Sequence, residues 1–148
     1  IGFGMGLVFD NRKNVMNVRK GLFAELAFLN YSKSLGSTNT FISTQFDFRY
    51  FREGFSPKDV LAVQGSALFN NGDVPFNQMA MIGGESMMRG YYLGRFRDKN
   101  FLTSQAEYRF LPFGFSKRLG AAAFISTATV APTAKSLFSS TFNLINSK

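Results

Sequence analysis

Residues 40–51 read Thr40-Phe41-Ile42-Ser43-Thr44-Gln45-Phe46-Asp47-Phe48-Arg49-Tyr50-Phe51. Successive side chains of an extended strand point to opposite faces, so a period of two separates one wall from the other. Here Ile42, Phe46, Phe48 and Tyr50 fall on one face and Ser43, Gln45, Asp47 and Arg49 on the other. The segment is twelve residues long. A tilted strand crosses a bilayer with about 9–11 residues, so this one is long enough to show grease to lipid and charge to water.

The same period recurs on both sides of this segment. Residues 3–10 form a first expected strand, interrupted in quality by Gly4 and Gly6 and ended by Asp10. Leu22–Tyr31 places Leu22, Ala24, Leu26 and Phe28 opposite Glu25, and Asp59–Phe69 places Leu61, Val63, Ala67 and Phe69 opposite Gln64 and Ser66. Phe101–Phe110 sends Ala106, Tyr108 and Phe110 one way and Gln105, Glu107 and Arg109 the other. Leu119–Thr129 is small and alanine-rich, and Phe138–Ile145 is a possible seventh strand. Prolines 57, 75, 112 and 132 all fall between these runs, where a residue without an N–H costs the ladder nothing. The connections at 52–58 and 111–117 are short and that at 70–100 is long, as expected when short turns line one rim and longer loops the other.

Alternation by itself also fits a soluble β-sandwich. Three features favour a membrane barrel. Charges of both signs lie on the polar faces, Asp47 with Arg49 and Glu107 with Arg109, where they could pair across strands. Aromatics gather near strand ends, at Phe23, Tyr50, Phe51, Phe69, Phe101, Phe110 and Phe113, as interfacial girdles require. Six or seven strands also leave two unpaired edges, which lipid does not tolerate, so the chain is expected to be an internal piece of a longer protein.

Composition narrows the chemistry. The 148 residues include 19 Phe and 5 Tyr but no Cys, His or Trp. Without Cys and His there is no disulfide, no thiolate and no histidine base, so Ser-His-Asp and Cys-His sites cannot be built. The longest apolar run, Ala121–Ile125, is far below the roughly 20 residues of a spanning helix. The formal charge is +8, yet the basic residues form no stripe interleaved with stacking aromatics, which argues against nucleic acid. They gather instead at turns, Arg12, Lys13, Arg19 and Lys20 in one and Lys117 with Arg118 in another, which suits either a rim beside anionic head groups or plainly solvated turns. Gly2-Phe3-Gly4-Met5-Gly6 has the wrong spacing for a nucleotide loop, and Ser86 has no Gly-x-Ser-x-Gly elbow. The acids are not set at metal-ligand spacing, and the methionines between 79 and 88 read as filling for a loop core.

One long loop carries a denser pattern. Gly83-Gly84-Glu85-Ser86-Met87-Met88-Arg89-Gly90-Tyr91 is followed by Gly94-Arg95-Phe96-Arg97-Asp98-Lys99-Asn100 and then by Ala106-Glu107-Tyr108-Arg109-Phe110. Glycines 83, 84 and 90 are expected to supply positive φ and a compact loop. This succession resembles the bacterial surface antigen family, the C-terminal barrel domain of BamA/TamA-like outer-membrane proteins. Asp10-x-Arg12-x-Asn14 with Gly21 resembles a further signature of that family, with Lys13 in place of an aspartate and Val18 in place of a proline.

The resemblance implies a fold and a role. The fold is an all-β antiparallel transmembrane β-barrel, of which residues 1–148 would be about six or seven strands in the later half of a roughly sixteen-stranded barrel, its closing strands missing. In the family an Arg-Gly-aromatic loop tip tucks into the lumen, which makes Gly83, Gly84, Met88, Arg89, Gly90 and Tyr91 the lumen-loop motif and Glu107 the wall partner of Arg89. Where the family carries an aspartate on the next strand, this chain has Ser126, within Phe124-Ile125-Ser126-Thr127-Ala128, as a candidate second wall partner of Arg89. The implied role is insertion or translocation of other proteins at the bacterial outer membrane, with no catalytic, cofactor-binding or metal-binding residue. The implied partners are the lipid bilayer, the remaining strands of the barrel, client outer-membrane or secreted proteins, and accessory lipoproteins. The alternatives are a membrane anchor and exit barrel fused to an upstream lipase-like enzyme, and a soluble β-sandwich adhesion module.

Overall fold

The computed structural model describes residues 1–110 and 119–137. Eight strands are present among them: β1 Gly2–Asp10, β2 Gly21–Tyr31, β3 Phe41–Glu53, β4 Val60–Gly72, β5 Ala80–Ile82, β6 Phe96–Asp98, β7 Asn100–Phe110 and β8 Ala121–Ala131. Six of them form one antiparallel sheet in the order β1-β2-β3-β4-β7-β8, and β5 pairs with β6 in a separate two-stranded ribbon. The expected strand at 138–145 and the residues Pro112, Phe113, Lys117 and Arg118 lie outside the described residues.

Unbroken register carries each face from strand to strand. One row runs Glu25, Asp47, Ser66, Thr103, and the next runs Phe23, Arg49, Gln64, Gln105, Ser126. A third runs Phe51, Ala62, Glu107, Phe124. The opposite face carries Leu7, Leu26, Phe46, Ala67 and Leu102, then Tyr50, Val63, Ala106 and Ile125. No second sheet of comparable size packs on either face among the described residues, so the sandwich alternative is overturned. The apolar face is left bare, with Leu7 73%, Leu26 46%, Phe46 41% and Ile125 76% exposed. An apolar wall this continuous on an all-antiparallel sheet is suited to face lipid as the outer side of a transmembrane barrel.

The first strand is cleaner than its glycines suggest. Phe3, Met5, Leu7 and Phe9 share the lipid face, while Gly2, Gly4, Gly6, Val8 and Asp10 share the other. The glycines therefore mark the inward side of an alternating strand. At Gly4 a Cβ would stand 2.2 Å from the Phe28 carbonyl oxygen, so the backbone of β2 comes too close for any side chain.

Two expectations about side chains are corrected. Phe23, Phe51 and Phe101 do not belong to a girdle. They fall on the inward rows, whereas Tyr50, Phe69 and Phe110 face outward. Neighbours such as Tyr50 and Phe51 must point opposite ways in a strand, so a cluster read along the sequence splits between the two faces. The inward ion pairs also run along single strands instead of across them. Arg49 grips Asp47 with Nε–Oδ1 at 3.0 Å and Nη2–Oδ2 at 2.7 Å. Residues two apart share a face at a spacing that an arginine side chain bridges easily.

Where β4 and β7 stop pairing, Asn100 takes over. Its Oδ1 accepts from the Asn70 N–H at 2.9 Å and its Nδ2 donates to the Ala131 carbonyl at 3.1 Å, so one buried amide joins β4, β7 and β8 at the loop end.

Candidate functional site

The connection from Asp73 to Lys99 is folded onto the inward face. After a 3-10 turn at Phe76–Gln78, the chain enters the β5–β6 ribbon, and the segment 83–95 closes that ribbon. Ala80 and Ile82 are buried against the sheet, at 1% and 3% exposure. Gly94 N–H donates to the Ile82 carbonyl and Gly84 N–H to the Tyr91 carbonyl, which draws the two sides of the segment together.

Glycine is demanded at Gly83. Its φ is 118° and a Cβ there would lie 2.2 Å from the Tyr92 carbonyl oxygen. Gly84 has φ 102° and Gly94 has φ 80°. Gly90 differs from the expectation, since it is absent from the positive-φ residues and a Cβ on it would meet open space. The left-handed position is taken by Met88, at φ 53°, and the Tyr91 N–H donates to the Met88 carbonyl at 2.9 Å, closing the turn that presents Arg89.

Arg89 is held from three sides. Its Nε donates to the Glu85 carbonyl at 3.1 Å within the loop. Its Nη2 lies 2.7 Å from Glu107 Oε2 on β7. Its guanidinium carbon stands 4.9 Å from the centroid of Phe124 on β8, a cation–π contact. Glu107 is 6% exposed and also receives Arg109 Nε on Oε1 at 2.5 Å. One carboxylate therefore serves two guanidiniums, hydrogen-bonded to Arg109 through Oε1 and ion-paired with Arg89 through Oε2. A second fastening comes from Met87, whose Sδ accepts from Thr103 Oγ1 at 3.1 Å.

Below the loop the inward face continues as a polar network. Arg12 grips Asp10 through Nε–Oδ1 at 2.8 Å and Nη2–Oδ2 at 2.7 Å, and the hydrogen bond to Asp10 raises the Arg12 pKa above its ordinary value. Arg12 and Arg49 both stack on Phe23, at 4.5 and 5.5 Å. Arg49, Arg89, Arg109, Glu107, Gln64 and Gln105 line a small cleft between loop and wall. On the inward side the acids Asp10, Glu25, Asp47 and Glu107 balance Arg12, Arg49, Arg89 and Arg109. Such a network binds a wet wall to itself. It contains no nucleophile–base pair, and among the described residues no group of three acidic, His or Cys side chains could hold a metal.

The sequence-derived residues sort as follows. Arg89 and Glu107 meet, with Gly83, Gly84, Met88 and Tyr91 shaping the turn that brings them together. Ser126 sits on the inward row directly opposite Gln105, and no hydrogen bond joins it to Arg89. Two participants were not anticipated: Phe124 beneath the guanidinium and Met87 on Thr103. Arg109, expected beside Glu107 on the polar face, is the second cation on it, reached along the strand. The sequence did hold a signal for Phe124, which occupies the inward phase of its strand at the next inward position from Ser126.

Omp85 domains are barrels of bacterial outer membranes, and the Omp85 superfamily model matches residues 1–144. No curated protein gives a sequence match. A match spanning nearly the whole chain, on an antiparallel sheet with a lipid face and a loop folded on its inner wall, shows that the chain belongs to the Omp85 superfamily.

Proposed function

We propose that this domain is part of a protein that inserts other β-barrel proteins into the bacterial outer membrane or passes secreted chains across it. The family assignment supports insertion or translocation as the class of function. The observation that carries the reading further is the seat of Arg89 on Glu107 and Phe124, because it keeps a 27-residue connection, 73–99, on the inner wall. In this reading the guanidinium acts as a bolt. It holds the loop within the lumen and stiffens β7 and β8, while the edges of β1 and β8, unpaired among the described residues, receive further strands of a larger barrel. The work is physical: a barrel whose seam opens at one edge lowers the barrier for a client strand to pair and enter lipid. The ion pair with a buried carboxylate, with a cation–π contact worth about 0.5–2 kcal/mol beside it, biases the loop to its seated position.

The test is a folding assay in liposomes. The complete protein should speed the appearance of a protease-resistant, heat-modifiable client barrel diluted from urea, and Glu107→Ala should slow it several-fold. Equal client folding with and without the protein would sink the insertion role. Equal rates for wild type and Glu107→Ala, with both active, would sink the bolt alone.

A further inference from the structure

The charge excess is placed unevenly. The inward network is neutral, so the full +8 of the chain arises outside it. At the end of the sheet where β1 turns into β2 and β3 into β4, the exposed cations are Lys13, Arg19, Lys20, Arg52 and Lys58, against Glu53 and Asp59. No ion pair joins any of these five cations among the described residues. Arg19 reaches across to the Lys58 carbonyl, which ties the two basic turns into one surface.

Arg52 is the telling member. It pairs across from Leu61, and Leu61 from Tyr108, so it stands on the lipid face in the last turn-ward row. Beside it, Phe55 is 99% exposed at the tip of the β3–β4 turn, and Met16 is 96% exposed at the tip of the β1–β2 turn. The exposed ring is not a loose end. Tyr108 Oη accepts from the Phe55 N–H at 2.7 Å and donates to Asp59 Oδ2 at 2.9 Å, while the Tyr108 ring stands 5.7 Å from that of Phe55 and 4.6 Å from that of Phe110. Gly54 is kept side-chain-free by the same hydroxyl, 2.5 Å from where its Cβ would be.

We propose that this rim is a binding surface for anionic phospholipid head groups. Phe55 and Met16 enter the head-group boundary, Arg52 rises along the lipid face to a phosphate, and Lys13, Lys20 and Lys58 supply the surrounding positive field. A cation on the lipid side of an aromatic row is stable only where its head reaches phosphate or water. The β3–β4 turn at this end is short, 54–59, and the connection at the other end, 73–99, is long; short turns of outer-membrane barrels face the periplasm, so the lipids are those of the periplasmic leaflet. The proposal rests on the barrel's place in the membrane and is independent of any insertion role.

The experiment measures lipid selectivity by electron paramagnetic resonance of spin-labelled phosphatidylglycerol and phosphatidylcholine around the complete protein in phosphatidylcholine vesicles. The wild type should hold phosphatidylglycerol several-fold more strongly, with each basic residue near an anionic surface contributing up to about fivefold. The combined variant Lys13→Gln, Lys20→Gln, Arg52→Gln, Lys58→Gln should lose most of that preference while keeping its folded mobility on a gel. Arg52→Gln alone should lose part of it, which keeps the test decisive if the combined variant misfolds. Lys33→Gln with Lys135→Gln, at the other end of the sheet, should retain it. A preference unchanged in Arg52→Gln and in the combined variant, or lost only in the Lys33 and Lys135 variant, overturns the proposal. Loss on adding inorganic phosphate, but not chloride of equal ionic strength, would indicate a soluble-anion site and overturn it too. A wild type that fails to enter the vesicles at all would overturn the proposal together with the membrane assignment on which it rests.

Discussion

Glu107 and Tyr108 are neighbours on β7, and each fastens a loop, but they do so on opposite faces and by different chemistry. Glu107 points inward and is nearly sealed off, at 6% exposure, holding two guanidiniums. Tyr108 points outward and holds the β3–β4 turn with a neutral hydroxyl that accepts one hydrogen bond and donates another. The difference follows from what each face meets. A wet inner wall can keep a carboxylate charged against cations, whereas on the lipid side an unpaired charge is expensive and a phenol with both hydrogen-bonding functions used is not.

The comparison predicts unequal costs. Glu107→Ala should be the most damaging single substitution in either fastening, lowering stability by about 3 kcal/mol, because it strands two part-buried guanidiniums together. The temperature at which the folded gel band disappears should fall accordingly. Gly83→Ala should follow at about 2 kcal/mol, from a strained φ and a collision with the Tyr92 carbonyl. Gly90→Ala, in the same loop, should stay within about 0.5 kcal/mol of wild type. If the two glycines cost the same, loop geometry is not what seats Arg89. Tyr108→Phe removes the two hydrogen bonds at the outward rim and should cost about 1–2 kcal/mol, read as faster proteolysis at 54–59 with the Arg89 ion pair intact. Ser126→Ala should change stability by less than about 0.5 kcal/mol, since no hydrogen bond joins Ser126 to Arg89.

Much of the wall was legible because a strand writes its two faces into alternate letters. Thr40–Phe51 foretold the inward Asp47 and Arg49 and the outward Phe46 and Phe48, and the strand limits differ by only a few residues from those observed. Alternation fixes phase but not neighbours, which come from register. Phase already sets Phe23 on the face of Glu25, but its place under Arg12 and Arg49 emerged only once β1, β2 and β3 were aligned. The loop was harder still. Its ribbon strands β5 and β6 are three residues each, too short for any period to show. The assumption that every glycine marks a left-handed turn misplaced that role from Met88 to Gly90.

The chain contains no cysteine, so single cysteines can be placed along β3 and β7 in an otherwise unreactive background. Spin labels at Gln45, Phe46, Asp47 and Phe48, and at Gln105, Ala106, Glu107 and Tyr108, would be read for collision with oxygen in the bilayer and with a water-soluble nickel chelate. The account predicts a period of two, with oxygen favoured at 46, 48, 106 and 108 and disfavoured at 45, 47, 105 and 107, and the chelate favoured at the more open 45 and 47. Equal accessibility at odd and even positions, or the reverse phase, would contradict it.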